Sequence, residues 1–463
     1  MTRQDIPASG YPFRSTSGLF TDLYELNMAA VYLQLDMTQP ATFSLFCRRL
    51  PRTRPFIVAC GLEELLAALE SLRFSDDELE YLRSLGLYDE AFLAYLSGFR
   101  FSGTIRAAPE GTPIFANEPL LEVEAPLPEA QLVETLVINK IQHPTLVASK
   151  AALCYLAAAG RTLVDFGARR AHSAESAAAA ARAAYIAGFE ATSNVEAARL
   201  YGIPPSGTMA HSFVMAFDDE ETAFEAFAER YREKTVLLID TYDTLKGAEK
   251  AARVARRFEA RGIRLRGVRI DSGDLVKTSQ KVREILDREG ASWMQIFASG
   301  NLSESRIAEA VTAKAPIDAF GVGTELTTSS DAPSLDMAYK LVRYGERDVY
   351  KLSPGKATYP GPKQVLRVID PSGQYVKDVL VPADSEERIV SEIQSLQEDG
   401  QIVPLLVPVM ENGVRTGAGL ESLKEKRERF LEAIGRFDPE VKKGAKPYDV
   451  EIHPSLEVSA RGG

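Results

Sequence analysis

Cysteine is scarce in this chain, with Cys47, Cys60 and Cys154 the only three in 463 residues. No two of them have CxxC spacing, which excludes a disulfide scaffold and a cysteine-held zinc site, and the chain is expected to work in the reducing cytoplasm. Long apolar runs are missing as well. None approaches the ~20 residues that cross a bilayer, and the opening stretch MTRQDIPASGYPFR has no apolar core behind basic residues, so neither a membrane span nor a secretory leader is expected. Basic excess is also absent: 54 Lys and Arg face 65 Asp and Glu, for a formal charge of −11. A general nucleic-acid binder is thereby excluded, because phosphate backbones are held by surplus cations. Any anionic ligand must be held by a local site.

What remains is ordinary globular composition, 45% hydrophobic and 26% charged, in a chain long enough for a large core and a second domain. The first part mixes a helix from Asp22, a strand at Ala41 to Cys47, and helices around Leu62 to Leu72 and Asp76 to Leu85. Short β-type runs between Thr104 and Val123 are split by the turn signals PEGTP and ANEP, and a long helical run follows from Glu129 to Ala159. After Gly160 the chain falls into a rhythm of short apolar runs that end in glycine or polar residues and lead into helices. The clear strand ends are TLVDFGARR, VLLIDTYD, LRGVRIDSGD, MQIFASGN and IDAFGVGT, with weaker ones at GFEATSN and SGTMAHS.

About seven such alternations predict a parallel sheet curled into a β/α barrel rather than an open sheet, with chemistry where the strands end. From Lys340 to about Val381 the pattern returns to strands with Gly and Pro turns, followed by a charged tail. The expected division is residues 1–128 and 340–463 forming one α/β domain from both chain ends, and residues 129–339 forming the barrel. The apolar segment IVPLLVPVM in the tail reads as a strand or a contact between copies.

Of the four histidines, His211 stands out because it follows the small residues SGTMA at a strand end, with room for a bulky partner. The segments LLIDTYD and VRIDSGD each place two aspartates, Asp240 with Asp243 and Asp271 with Asp274, just beyond an apolar run. Such carboxylates suit metal-bound water or a developing sugar cation, or else cap the following helix. Arg169, Arg170 and Arg269 are strand-end cations with a planar fork for carboxylate or phosphate, although for Arg170 a surface salt bridge is the simpler expectation. Phe166 offers either a flat wall for a heteroaromatic ring or core packing. The glycine runs ASGN and FGVGT are expected to cradle a phosphate, whereas FGVGTE lacks the third glycine of a dinucleotide fingerprint and GK at Gly355 lacks the rest of a P-loop.

In combination these segments resemble the nicotinate phosphoribosyltransferase family, from Thr21 to about Lys363. The resemblance rests on TDLYELNMA, DFGARRAHS, ATSNVEAARLYGIPPSGTMAHSF, LLIDTYDTLKG, GVRIDSGDL, FASGNL, FGVGTELTTS and YKLSPGKATYPG, in that order. It implies an irregular barrel of the type II phosphoribosyltransferase kind with an α/β sandwich domain, and a homodimer with shared active sites. The substrates implied are nicotinate, 5-phosphoribosyl 1-diphosphate and ATP, with Mg²⁺ brought by the diphosphate.

By position, the resemblance implies that Tyr24 lies across the dimer on the pyridine ring and Phe166 on its other face. Arg169 and Arg269 are then the basic groups near the nicotinate carboxylate and the phosphoribosyl group, with Thr208 on nicotinate. His211 becomes the histidine transiently phosphorylated by ATP, and Asp240 and Asp271 lie beside ribose and diphosphate, with Ser272 and Gly273 alongside. Gly300, Gly321, Gly323 and Thr324 form the 5-phosphate cradle, and Lys351, Ser353 and Lys356 belong to a basic loop. Asp240, Asp243 and Asp271 are the candidates for holding Mg²⁺ water. Ser193 stands where nicotinamide-using relatives carry an acidic residue, so a carboxylate-bearing ring is expected. The rival readings are a barrel aldolase or a glycosidase using Asp240 and Asp271, and a non-catalytic binder of a pyridine metabolite.

Overall fold

The computed structural model describes residues 17–351, 358–396 and 400–456. Contacts divide the chain into two compact units, Met1–Ser149 with Ala332–Gly463, and Lys150–Asp331. Both chain ends therefore build one unit, while the division expected at residue 129 shifts to 150 and that at 339 shifts to 331. The physical reason lies in the helical run from Glu129. It folds as Leu127–Leu132 followed by Glu134–Ala158, and the earlier part of this run buries Leu132, Val133, Leu136, Val137 and Ile141 in the core of the first unit.

That unit contains a seven-stranded antiparallel sheet whose middle strands, Pro40–Cys47 and Pro119–Pro126, are buried along nearly their whole length. Met337–Tyr344 pairs with Pro40–Cys47 from the far end of the sequence, with Phe43 stacked on Tyr339 at 4.8 Å. A four-stranded sheet is formed wholly from the C-terminal part, around Lys363–Ile369 and Tyr375–Pro382. The tail segment IVPLLVPVM supplies parts of two strands, Gln401–Pro404 and Val407–Glu411, one in each sheet. Among the described residues no helix is long and apolar enough to cross a membrane.

The second unit carries a six-stranded parallel sheet in the order Ala191–Thr192, Thr162–Asp165, Ala319–Val322, Gln295–Ala298, Gly267–Ile270, Val236–Leu238. Each strand is short and buried, as expected of a parallel sheet covered by helices. Covering helices such as Thr244–Glu259 and Leu275–Arg288 turn Ala248, Ala251, Ala252, Val254, Ala255, Val282 and Leu286 inward. The sheet is curled, since residues from five of its strands, among them Val164, Val236, Arg269, Phe297 and Phe320, line one narrow cavity. The expected seventh strand at SGTMAHS does not form. Residues 203–210 run irregularly, with a single bridge between Thr192 and Pro205; Pro204 and Pro205 lack the N–H groups a ladder needs.

Candidate active site

Register decides which residues point to the strand ends together. Arg269 pairs with Leu238 on one side and Phe297 on the other, and Gly321 with Val164. Residues two further along each strand share the same face. Asp240, Asp271, Ser299, Gly323 and Phe166 thus gather at the carboxyl ends of their strands, where barrel enzymes place their chemistry. There a cavity of about 580 Å³ is lined by Phe166, Arg169, Thr208, Arg269, Asp271 and Gly300, with Gly321, Gly323 and Thr324 also on its wall.

The two aspartate pairs divide their labour. Asp243 accepts from the N–H groups of Leu245 and Lys246, and Asp274 from that of Lys277, so these two cap the helices that follow, and both carboxyls are held below their usual range by those bonds. Asp243, a candidate for metal water, is thus taken up as a helix cap. Asp240 and Asp271 do not cap. Asp240 Oδ2 accepts from the Asp271 N–H at 3.0 Å and from the Ser272 hydroxyl, while Asp240 Oδ1 is buried without a hydrogen-bond partner among the described residues. Asp271 Oδ1 accepts from the Ser299 hydroxyl, and its Oδ2 lies 4.0 Å from His211 Nε2. The other ring nitrogen, Nδ1, is 3.2 Å from Thr241 Oγ1. Among the described residues no three His, Cys, Asp or Glu side chains gather as a metal centre. The Asp271 carboxylate, on the cavity wall, suits a hard cation carried in on a phosphate ligand and held through water.

Cations surround this carboxylate pair. Arg269 is largely buried, donates to Thr208 Oγ1, and leaves its Nε without a partner. Burial holds its guanidinium below the usual pKa against the opposing pull of Asp271 and Asp240. Its guanidinium carbon stands 6.0 Å from the centre of the Phe166 ring. Arg169 and Arg170 are exposed on a short 3₁₀ turn, Ala168–Arg170, and both line the cavity. Among the described residues Arg170 has no acidic partner, so the salt bridge expected for it does not form there; with Arg169 it faces the cavity, where its planar fork suits an anion.

The turn is held from below by Asp165, a buried carboxylate that accepts from the Gly167 N–H at 2.8 Å and the Thr192 hydroxyl at 2.7 Å. One side chain thereby fixes the loops carrying Phe166 and Ser193, and burial raises its pKa. Glycine is required at two points. A Cβ on Gly300 would stand 1.8 Å from the Asp271 carbonyl oxygen, with φ at +86°, and one on Gly321 would stand 2.4 Å from the Phe166 ring. Gly273 also has a positive φ, +79°, in the turn after Asp271.

Ser299, Asn301, Gly207, Met209 and Ala210 also line the cavity. They escaped selection as site residues in the sequence because small residues in loops carry no chemical signature; only the place of Ser299 and Asn301 within ASGN hinted at them. Tyr24 and Lys351 belong to the other unit. Tyr24 is 46% exposed on helix Leu23–Gln34, and burial together with the acidic neighbours Glu134, Glu25 and Asp22 raises its pKa. Lys351 is exposed, with its N–H on Thr358 Oγ1. Ser353 and Lys356 lie outside the described residues.

Comparison with known proteins matches residues 19–142 to the nicotinate phosphoribosyltransferase N-terminal domain and residues 161–346 to the nicotinate phosphoribosyltransferase family. A nicotinate phosphoribosyltransferase of Mycobacterium tuberculosis is 47% identical over 424 residues, covering 92% of this chain and 88% of the relative. One from Bacillus subtilis is 44% identical over 374 residues, covering 79% and 76%. The crystal structure of human nicotinic acid phosphoribosyltransferase superposes with a TM-score of 0.82 at 27% identity, covering 96% of this chain and all of that one. Two matched domains with the cavity between the strand ends of the second lead to one assignment: the chain belongs to the nicotinate phosphoribosyltransferase family.

Proposed function

We propose that this chain joins nicotinate to 5-phosphoribosyl 1-diphosphate, releasing nicotinate mononucleotide and diphosphate, with ATP hydrolysis coupled to the transfer as the first step of NAD salvage from nicotinate. The observation that carries this reading is the cavity's chemistry: three guanidinium groups and a glycine-lined loop pair face a carboxylate, Asp271, across an aromatic wall. Such a site takes a substrate with anionic ends and a cationic centre.

The nicotinate carboxylate and the phosphates would pair with Arg169, Arg170 and Arg269, and the pyridine ring would lie on Phe166 beside Thr208. The 5-phosphate would rest on the backbone of Gly300, Gly321, Gly323 and Thr324. The ring nitrogen lone pair then attacks C1 of the ribose as the C1–O bond breaks, its electrons leaving with diphosphate. Asp271, steered by Ser299 and by the neighbouring Asp240, faces the positive charge that develops on the sugar. Mg²⁺ on the diphosphate would supply charge neutralisation to the leaving group. Ser193 places no negative charge beside the ring, which favours nicotinate over nicotinamide.

His211 is the group through which ATP enters this scheme. Thr241 engages Nδ1, so Nε2 is the nitrogen free to attack the γ-phosphorus of ATP, expelling ADP; water later cleaves the P–N bond and restores the imidazole. The phosphoryl group assists only as far as it favours the productive state over the other. A homodimer belongs to the same reading, with Tyr24 of a second copy over the pyridine ring, and so does a basic loop at Lys351 and Lys356.

The test is product formation from nicotinate or nicotinamide with the ribosyl diphosphate and Mg²⁺, with and without ATP, for wild type and His211→Ala. ATP-stimulated nicotinate mononucleotide synthesis, with the stimulation lost in the variant, is expected. No product from either pyridine refutes the activity, and preference for nicotinamide refutes the role given to Ser193.

A further inference from the structure

Lys150 lies in the helix Glu134–Ala158, and its side chain is 1% exposed. Its ammonium sits 2.5 Å from the Glu304 carboxylate and 3.0 Å from that of Asp331. Burial alone would push an ammonium toward neutrality, but the two carboxylates outweigh it and keep the group charged. Neither carboxylate lines the cavity. Each is tied to a loop that does.

Glu304 is the first residue of helix Glu304–Thr312, three residues after Asn301. Asn301 has a positive φ, +48°, and its carbonyl accepts from Arg306 Nη1 at 3.1 Å, so the loop of Ser299, Gly300 and Asn301 is fastened to the first turn of that helix. Asp331 follows the short helix Thr324–Thr327. Thr328 Oγ1 donates to the Thr324 carbonyl at 2.7 Å and the Ser330 hydroxyl to Glu325, which fastens the loop of Gly321, Gly323 and Thr324 to the stretch ending at Asp331. The two loops leave neighbouring strands whose pairing runs through Phe297 with Ala319 and Ala298 with Phe320. Past that pairing, Lys150 joins the anchor of one loop to the anchor of the other.

We propose that Lys150 is a positioning residue that sets the spacing between the two loops of the phosphate cradle, acting through Glu304 and Asp331 without touching substrate. The inference rests on the proposed reading in taking an anionic ligand between those loops. It differs from a plain stability role in what it moves: the affinity for phosphate groups should change, while that for the pyridine carboxylate, met by Arg169 and Thr208 on other elements, should not.

Two full-length variants separate these roles, Lys150→Met and the triple variant Lys150→Met, Glu304→Gln, Asp331→Asn. The single change strands two carboxylates and endangers folding, whereas the triple change removes the stranded charge but leaves the tether cut. The readouts are KM for each substrate, the dissociation constant for ribose 5-phosphate by calorimetry, and Tm. For the triple variant, a KM for ribosyl diphosphate and a dissociation constant for ribose 5-phosphate each raised about tenfold are expected, with the nicotinate KM within about twofold of wild type. Wild-type ribose 5-phosphate binding in the triple variant overturns the proposal, as does a parallel rise in both KM values. Ribose 5-phosphate binding reports on the cradle even if wild type fails to turn over nicotinate, so failure of the proposed activity and failure of the tether are told apart.

Discussion

Replacing Gly321 by alanine should damage the site more than the fold. A Cβ there would stand 2.4 Å from Phe166 Cδ2 and 2.5 Å from Cε2. Carbon atoms in ordinary contact sit about 3.5–4.0 Å apart, so the ring must turn or retreat by roughly 1 Å or more. The backbone carbonyl of Phe166 is already close to the neighbouring Gly323, and its N–H is bonded to the Val322 carbonyl at 2.8 Å. The backbone is therefore fixed on the sheet side, and it is the ring, on the wall of the cavity, that must move. Inserting one methyl group into a packed site costs about 1–3 kcal/mol of stability, a modest fall in Tm for a chain of this size. A 1 Å misplacement of a positioning group costs on the order of 10²-fold in rate. Steady-state kinetics with nicotinate varied at saturating ribosyl diphosphate should then show kcat/KM down by about 10²-fold, against a small change in Tm. The double variant Phe166→Ala, Gly321→Ala checks the cause: with no ring to displace, it should be no worse than Phe166→Ala alone. Additive losses in that cycle, or wild-type kinetics in Gly321→Ala, would refute the argument that Gly321 makes room for the ring.

Two further outcomes follow from the same geometry. Asp240→Asn should lower kcat by about 10²-fold because it disturbs the network that steers Asp271, whereas Asp243→Asn should leave kcat and Tm close to wild type, since asparagine caps a helix as aspartate does; equal loss of kcat in both would show that Asp243 has a second role. Burial raises the Asp165 carboxyl above its ordinary value, so its contribution to stability is full below the unfolded carboxylate range and is lost as pH rises through the raised value. Asp165→Asn should remove that segment of the stability–pH curve, and an unchanged curve from the ordinary carboxylate range upward would contradict the assignment.

Much of the second unit was legible because a parallel sheet writes its strands as short apolar runs ending in polar residues. All five of the clear strand ends are strands of the sheet, and one of the two weaker ones, GFEATSN, contributes the two-residue strand Ala191–Thr192. SGTMAHS was misread because small residues after two prolines look like a strand end, while prolines 204 and 205 remove the donors that pairing requires. The boundary at residue 129 was misplaced for a different reason: helical periodicity shows that a helix is present, but not which core its faces are buried in.

The sequence by itself determined the class of fold, the acidic and cysteine-poor character of the chain, the ordered run of motifs and hence the family, because each of these resides in local patterns of residue type. It left each aspartate pair open between capping and chemistry. Only the tertiary structure decided that Asp243 and Asp274 cap their helices while Asp271 lines the cavity and Asp240 holds the turn behind it, and that Arg170 faces the cavity rather than an acidic neighbour. Nor could spacing along the chain indicate that Glu304 and Asp331 meet on the buried Lys150. Those outcomes depend on strand register and on which backbone donors lie within about 3 Å of a carboxylate, and both are set by residues far apart in the chain.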